Sequence, residues 1–238
     1  MDQGLTGKNV LVTGGTGALG TDVVRAFAGT GAHVTVSWVV GRERDALLAE
    51  LGSAGEKVRL EQADVTDPDA VAALCVAAAK PTGRLDVLVQ LVGGFTFAPI
   101  DETDPKTWHK MLALNATSTF LCAREVVKRM RPWRSGRIIT VAAVPAVDRG
   151  AANMSAYAAA KAAVLNLTQS LSKELVADGI TVNAIAPSII DTPANRAAMP
   201  DADTSTWLAP AAIAEVIVWL AGESAAVVTG TTVMLSKG

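Results

Sequence analysis

Cysteine is scarce in this sequence of 238 residues, which contains only Cys75 and Cys122. Two thiols at unrelated positions form neither a disulfide framework nor the ligand set of a metal cluster. Both fall in segments with helical spacing, where we expect them to pack as small apolar side chains. The sequence therefore predicts no structural disulfides and no metal site.

An excess of charge of one sign is also lacking, and so are long hydrophobic runs. The 21 basic and 23 acidic residues leave a formal net charge of −2 and are spread along the chain. Nucleic-acid binding needs clustered basic residues, so we expect no nucleic-acid partner. No run reaches the roughly 18 apolar residues of a membrane span, and Met1–Thr6 lacks signal-peptide character. We expect a cytoplasmic protein without a membrane partner.

Short apolar runs alternate with longer helical patterns, and 50% of the residues are hydrophobic. Runs such as Asn9–Val12 and Arg137–Val141 are typical of strands that are buried on both faces. The alternation predicts one α/β domain over residues 1–238, a Rossmann-like doubly wound parallel sheet of about seven strands with helices on both faces. Residues 188–209 show little periodicity, and we predict that they form a lid over the substrate.

A glycine-rich turn follows the first predicted strand, with glycines at positions 14, 17 and 20. Such glycines let the backbone turn tightly, approach a pyrophosphate and pack the next helix against the strand. The alternative is a tight strand-to-helix turn without a ligand. The position between a strand and a helix favours dinucleotide binding.

The end of the second predicted strand bears on the choice of dinucleotide. Sites selective for NAD place an acid there, about 20 residues after the turn, to hold the ribose hydroxyls. Here Trp38 occupies that place, and no carboxylate precedes Glu43. Arg42 and Arg44 lie nearby and could pair with a 2′-phosphate, although both could equally be solvated charges. The pattern favours NADP(H) and leaves NAD(H) open.

The only tyrosine, Tyr157, precedes Lys161 by four residues, which places both side chains on one face of a helix. A neighbouring ammonium lowers the pKa of a phenol and makes it a better proton donor near neutral pH. The alternative is a buried tyrosine that only packs on an alanine-rich helix.

Together these motifs resemble the short-chain dehydrogenase/reductase family over nearly the whole chain. The resemblance implies that Tyr157 is the general acid/base, that Lys161 tunes it and binds the nicotinamide ribose, and that Asn115 holds a proton-relay water. The implied cofactor contacts are Gly14, Thr16, Gly17, Leu19, Gly20, Trp38, Arg42, Asp64, Val65, Gly93, Tyr157, Lys161, Pro187, Ile190 and Thr192. The implied reaction is NAD(P)(H)-dependent hydride transfer to or from a small carbonyl or conjugated imine, in a dimer or tetramer.

Three departures from the family pattern stand out. Ala18 replaces a glycine of the turn, and Gln90–Gly93 replaces the usual Asn-Asn-Ala-Gly. Family members also carry a serine about 13 residues before the tyrosine, where this chain has Ala142 and Ala143. Loss of such a donor to the substrate oxygen can lower the rate about a hundredfold. Either another group donates a hydrogen bond to the substrate oxygen, or the substrate needs less stabilisation of its developing negative charge.

The alanine and the segment Asp191–Trp207 also resemble dihydropteridine reductase, whose conjugated substrate needs no dedicated oxyanion donor. That activity is one alternative, and a dinucleotide-binding protein without catalysis is another. The predicted substrate pocket comprises Phe95, Ala143, Met199 and Trp207.

Overall fold

The computed structural model describes residues 3–148 and 150–237. Met1, Asp2, Arg149 and Gly238, which the predicted domain includes, lie outside the described residues. The strands are β1 Asn9–Thr13, β2 His33–Trp38, β3 Val58–Gln62, β4 Val87–Gln90, β5 Gly136–Val141, β6 Ile180–Pro187 and β7 Thr232–Leu235. The helices are α1 Ala18–Ala28, α2 Gly41–Leu51, α3 Pro68–Ala79, α4 Pro105–Met111, α5 Ser118–Met130, α6 Val144–Val147, α7 Ser155–Leu175, α8 Pro193–Ala198 and α9 Pro210–Ala221.

The described strands form one seven-stranded parallel sheet in the order β3-β2-β1-β4-β5-β6-β7. This confirms the predicted doubly wound architecture. The order reverses direction between β1 and β4, where Thr13 pairs with Gln90 at the carboxyl ends of the two strands. In such sheets ligands bind in the crevice at that point. The fold therefore brings the glycine turn beside the segment that follows β4.

Helices cover both faces of the sheet, which explains why its central strands are apolar on both sides. One apolar cluster joins the sheet to α1, α2 and α9 around the fully buried Phe27. The other joins it to α3, α5 and α7 and contains Cys75 and Cys122. Both thiols are free and buried, as predicted, and burial raises their pKa.

Local signals in the sequence define several helix starts. Asp67 and Asp104 each precede a proline, and their side chains accept hydrogen bonds from backbone N–H groups in the first turns of α3 and α4. Proline tolerates the first helical position because the N–H that it lacks would be unpaired there. Among the described residues, no helix combines the length and apolarity that a membrane span requires.

Two segments differ from what periodicity alone suggested. The helical stretch from Pro105 to Met130 is interrupted by a π-helical turn over Leu112–Thr117. The predicted lid contains α8, and its ends are joined by a parallel bridge between Ile190 and Leu208. The π-helical turn shifts the register of the helix at Asn115, and such turns are frequent at functional sites.

Candidate active site

The glycine turn has the geometry that a pyrophosphate requires. Gly14 has φ +67°, a conformation that side chains disfavour. A Cβ on Gly20 would lie 2.3 Å from the carbonyl oxygen of Gly14, so only glycine lets α1 pack this closely on the turn. The helix has no side-chain cap, and its first backbone bond runs from Thr21 N to Gly17 O. The N–H groups of residues 18–20 are therefore available for an anion, and the turn fits a dinucleotide phosphate.

The end of β2 carries Trp38, as the sequence indicated, but its neighbours are not equivalent. The Arg44 guanidinium lies over the Trp38 ring at 4.7 Å from the centroid and pairs with Asp45 Oδ1 at 2.7 Å. Arg42 is exposed and makes no ion pair with a described residue. Glu43 accepts a hydrogen bond from Thr16 Oγ1 at 3.3 Å. Sequence reasoning missed this contact because it joins positions 27 residues apart.

The remaining predicted cofactor residues also lie near the carboxyl ends of strands. Asp64 is exposed after β3 and accepts hydrogen bonds from Thr66, whereas Val65 is buried beside it. Leu19 packs against the core, Pro187 ends β6, and Ile190 packs against the same core as Leu19. Thr192 caps α8 by accepting from Asn195 N at 3.1 Å.

Asn115, Lys161 and Gly93 meet at the crevice although they are far apart in the sequence. Asn115 accepts from Gly94 N at 3.2 Å through Oδ1, and its amide donates to Met111 O at 2.9 Å. A Cβ on Gly93 would lie 2.7 Å from Asn115 Oδ1 and 3.2 Å from Lys161 Nζ. The missing side chain at Gly93 therefore leaves room for the amide and the ammonium to approach the same point.

Burial shifts the pKa values of both Tyr157 and Lys161 on α7, and the shift at Tyr157 is opposite to the one expected from the sequence. Lys161 is buried, and Nζ donates to Val141 O at 2.8 Å; burial lowers the pKa of its ammonium to about 8. Burial raises the pKa of Tyr157 to about 12, whereas we expected Lys161 to lower it. The reason is that the phenolate loses water in the apolar surroundings of α7.

Gln90 shows how the chain accommodates its departure from the Asn-Asn-Ala-Gly pattern. The side chain is buried, accepts from Thr13 Oγ1 at 2.5 Å and donates to Ser118 Oγ at 3.1 Å. Ser118 Oγ in turn donates to Leu114 O at 2.7 Å, inside the π-helical turn. Both polar atoms of the buried Gln90 amide have a hydrogen-bond partner. Gln90 thus joins the glycine turn to the segment that carries Asn115.

The predicted substrate pocket is only partly assembled around Tyr157. Phe95 packs edge-on against the Tyr157 ring, with centroids 5.0 Å apart and planes at 77°, and remains 61% exposed. Ala143 is buried immediately before α6. Met199 is partly buried, and Trp207 is only 3% exposed, so most of its ring packs inside the protein. Two cavities of about 560 and 690 Å³ lie elsewhere, between α7 and the approach to β7.

Comparison with known proteins places this arrangement in a family. Residues 8–203 match the short chain dehydrogenase family. The chain is 35% identical to cis-4-hydroxycyclohexanecarboxylate dehydrogenase of Sinomonas cyclohexanicum, covering 100% of this chain and 98% of that protein. It is 31% identical to the 3-oxoacyl-(acyl-carrier-protein) reductase FabG of Chlamydia pneumoniae, covering 100% and 99%. The solved structure of ElxO with NADP bound superimposes with a TM-score of 0.89 at 27% identity, covering 96% of this chain and 97% of that one. The chain therefore belongs to the short-chain dehydrogenase/reductase family and is an NAD(P)-dependent oxidoreductase.

Proposed function

We propose that this enzyme transfers hydride between NADP(H) and a small carbonyl or conjugated imine, with Tyr157 as the general acid/base. The observation that carries the proposal is the approach of Lys161 Nζ and Asn115 Oδ1 to one point at Gly93, beside the glycine turn. Tyr157 lies one helical turn before Lys161 on α7. A nucleotide-binding protein without catalysis would have no need for this convergence of polar groups.

In the proposed reaction the side chains of the protein transfer the proton, whereas the hydride belongs to the cofactor. The nicotinamide supplies or accepts the hydride when it is bound. Tyr157 gives a proton to the substrate oxygen or nitrogen during reduction, and takes it back during oxidation. Lys161 and the bound oxidised nicotinamide would together supply positive charge that opposes the desolvation raising the pKa of Tyr157. Asn115 holds the relay water that reconnects this proton to solvent.

The proposed substrate site is apolar on the side of Tyr157. Phe95 contacts the phenol ring and leaves most of its own surface exposed for a ligand. Residues 188–209 are proposed as the lid, with Met199 and Trp207 in its wall or support. The wall is apolar and aromatic, and position 143 is alanine rather than serine. Both features favour a substrate that delocalises its developing negative charge. A conjugated imine such as a quinonoid dihydropterin meets that condition.

The preference for NADP(H) rests on the surroundings of the adenosine site. Trp38 stands where an NAD-selective acid is expected, and the exposed Arg42 is free to meet a phosphate. The similarity to ElxO, solved with NADP, supports the same cofactor.

We also propose a cytoplasmic dimer or tetramer in which α5 and α7 contact a second subunit. Several exposed residues of α7 are small enough for close helix packing.

The decisive test is oxidation of NADPH and of NADH with a quinonoid dihydropterin and with simple and cyclic ketones. We expect turnover with at least one of these classes, faster with NADPH than with NADH. Turnover of the pterin alone would identify a dihydropteridine reductase, whereas turnover of ketones alone would identify a carbonyl reductase. No turnover with any of them, despite tight cofactor binding, would contradict the proposed reaction.

Restoring the missing serine tests how the substrate is held. Ala142 packs in an apolar cluster with Ala184 and Ala186, so Ala143 is the better position for a hydroxyl that reaches the site. For a ketone substrate we expect Ala143→Ser to raise kcat about tenfold, because it adds a donor to the developing oxyanion. Ala142→Ser is the matched control and should give no gain. Equal rates for Ala143→Ser and the wild type would indicate a substrate that needs no second donor.

A further inference from the structure

The carboxylate of Glu43 contacts the glycine turn from a neighbouring element. Thr16, between Gly14 and Gly17 of the turn, donates through Oγ1 to Glu43 Oε2 at 3.3 Å. Glu43 lies in the first turn of α2, which follows β2, the parallel neighbour of β1. The contact therefore places a negative charge between the carboxyl ends of β1 and β2.

This contact is not part of the capping of α2. The helix has Val40 at its N-cap position and no side-chain cap among its described residues. The backbone N–H of Glu43 donates to Val40 O at 3.1 Å, while the carboxylate extends to Thr16 on another element. Its position fits the role of the acid that Trp38 replaces, since an acid about 20 residues after the glycine turn holds ribose hydroxyls.

The nearby cations balance this charge only in part. Arg44 is held by Asp45, through Nε at 2.8 Å and Nη2 at 2.7 Å, and by the face of Trp38. These contacts occupy two of the five N–H donors of the guanidinium and offset part of its charge. Arg42 is the remaining cation of this helix start that is exposed and unpaired within the described residues. The start of α2 therefore carries one carboxylate held against the glycine turn and one exposed guanidinium without an ion pair among the described residues.

We propose that Glu43 is the residue that discriminates between the two dinucleotides, by accepting hydrogen bonds from the ribose hydroxyls of NAD(H) and repelling the 2′-phosphate of NADP(H). The proposal rests on the dinucleotide site of the proposed function and refines it. Arg42 attracts the phosphate and Glu43 opposes it, so the wild type has only a narrow preference. Thr16 holds the carboxylate in place.

The test compares dissociation constants of NADPH and NADH, measured from nicotinamide fluorescence, for the wild type, Glu43→Gln, Arg42→Gln and Glu50→Gln. Glutamine keeps the shape of Glu43 and removes its charge. We expect Glu43→Gln to change the ratio of the two constants about tenfold in favour of NADPH, and Arg42→Gln to change it in the opposite direction. Glu50 is the matched control, because it lies on α2 but faces Arg25 of α1 at 3.3 Å. Glu50→Gln should leave the ratio unchanged.

Binding distinguishes a failure of this assignment from a failure of the proposed function. A ratio for Glu43→Gln within about twofold of the wild-type ratio would overturn the role of Glu43, while the oxidoreductase proposal would stand. Failure of the wild type to bind either dinucleotide would overturn both. A shift with Glu50→Gln equal to that with Glu43→Gln would reduce the effect to general surface charge and overturn the assignment as well.

Discussion

Tyr157→Phe should lower kcat on the order of 10³-fold and leave the dissociation constant of the dinucleotide within about twofold of the wild-type value. The substitution removes only the hydroxyl, since phenylalanine keeps the ring and its edge-on packing with Phe95. The proton donor is therefore lost while the shape of the site is conserved. Single-turnover and steady-state rates with the best substrate of the panel would measure the effect.

Ser155→Ala is the matched control, because this exposed hydroxyl lies on the same helix two residues before the tyrosine. It should leave kcat unchanged. Equal loss of activity in both variants would show that the start of α7, rather than the phenol, is what matters. Retention of full activity in Tyr157→Phe would remove Tyr157 from the mechanism.

The same residue offers a direct view of its protonation. Tyr157 is the only tyrosine in the chain, so phenolate absorbance at high pH reports on it alone. The ligand-free protein should titrate near the raised pKa of about 12, and bound oxidised dinucleotide should lower that pKa by adding positive charge. The active deprotonated form would then appear only with cofactor in place.

Lys161→Met should lower kcat/KM on the order of 10²-fold and yet stabilise the ligand-free protein. A buried ammonium whose pKa falls from 10.5 to about 8 is disfavoured by about 3 kcal/mol. Methionine has a similar shape and no charge, although it loses the hydrogen bond to Val141 O. We expect the free energy of unfolding to rise by roughly 1–3 kcal/mol at pH 7, measured by urea denaturation.

The lowered pKa of Lys161 also predicts how the stability difference between Lys161→Met and the wild type changes with pH. Between about pH 8 and 10.5 the unfolded wild type binds more protons at Lys161 than the native state, so wild-type stability rises with pH across that range. The advantage of Lys161→Met is therefore complete below pH 8 and disappears toward pH 10.5. Lys173→Met, on an exposed position of α7, is the control and should show no such change. A variant that is less stable than the wild type at pH 7 would contradict the burial penalty.

The architecture could be predicted from local patterns, and the same patterns supply the site residues that we propose. Strands buried on both faces read as continuous apolar runs, and their alternation with helical periods predicts a parallel sheet, as found. Glycines at positions 14 and 20 are demanded by a turn in which a Cβ would meet the backbone. A four-residue spacing sufficed to place Tyr157 and Lys161 on one face of α7.

What only the tertiary structure decided depends on residues that are distant in the sequence. The bond between Thr16 and Glu43, and the chain from Thr13 through Gln90 to Ser118, cross between elements, and no periodicity reports such pairs. The direction of the pKa shift at Tyr157 likewise follows from how much water the folded chain excludes. The sequence by itself determined which chemical groups this protein carries and in which order its elements run. Folding decided which of those groups meet and how far they are removed from solvent, because both depend on packing between elements.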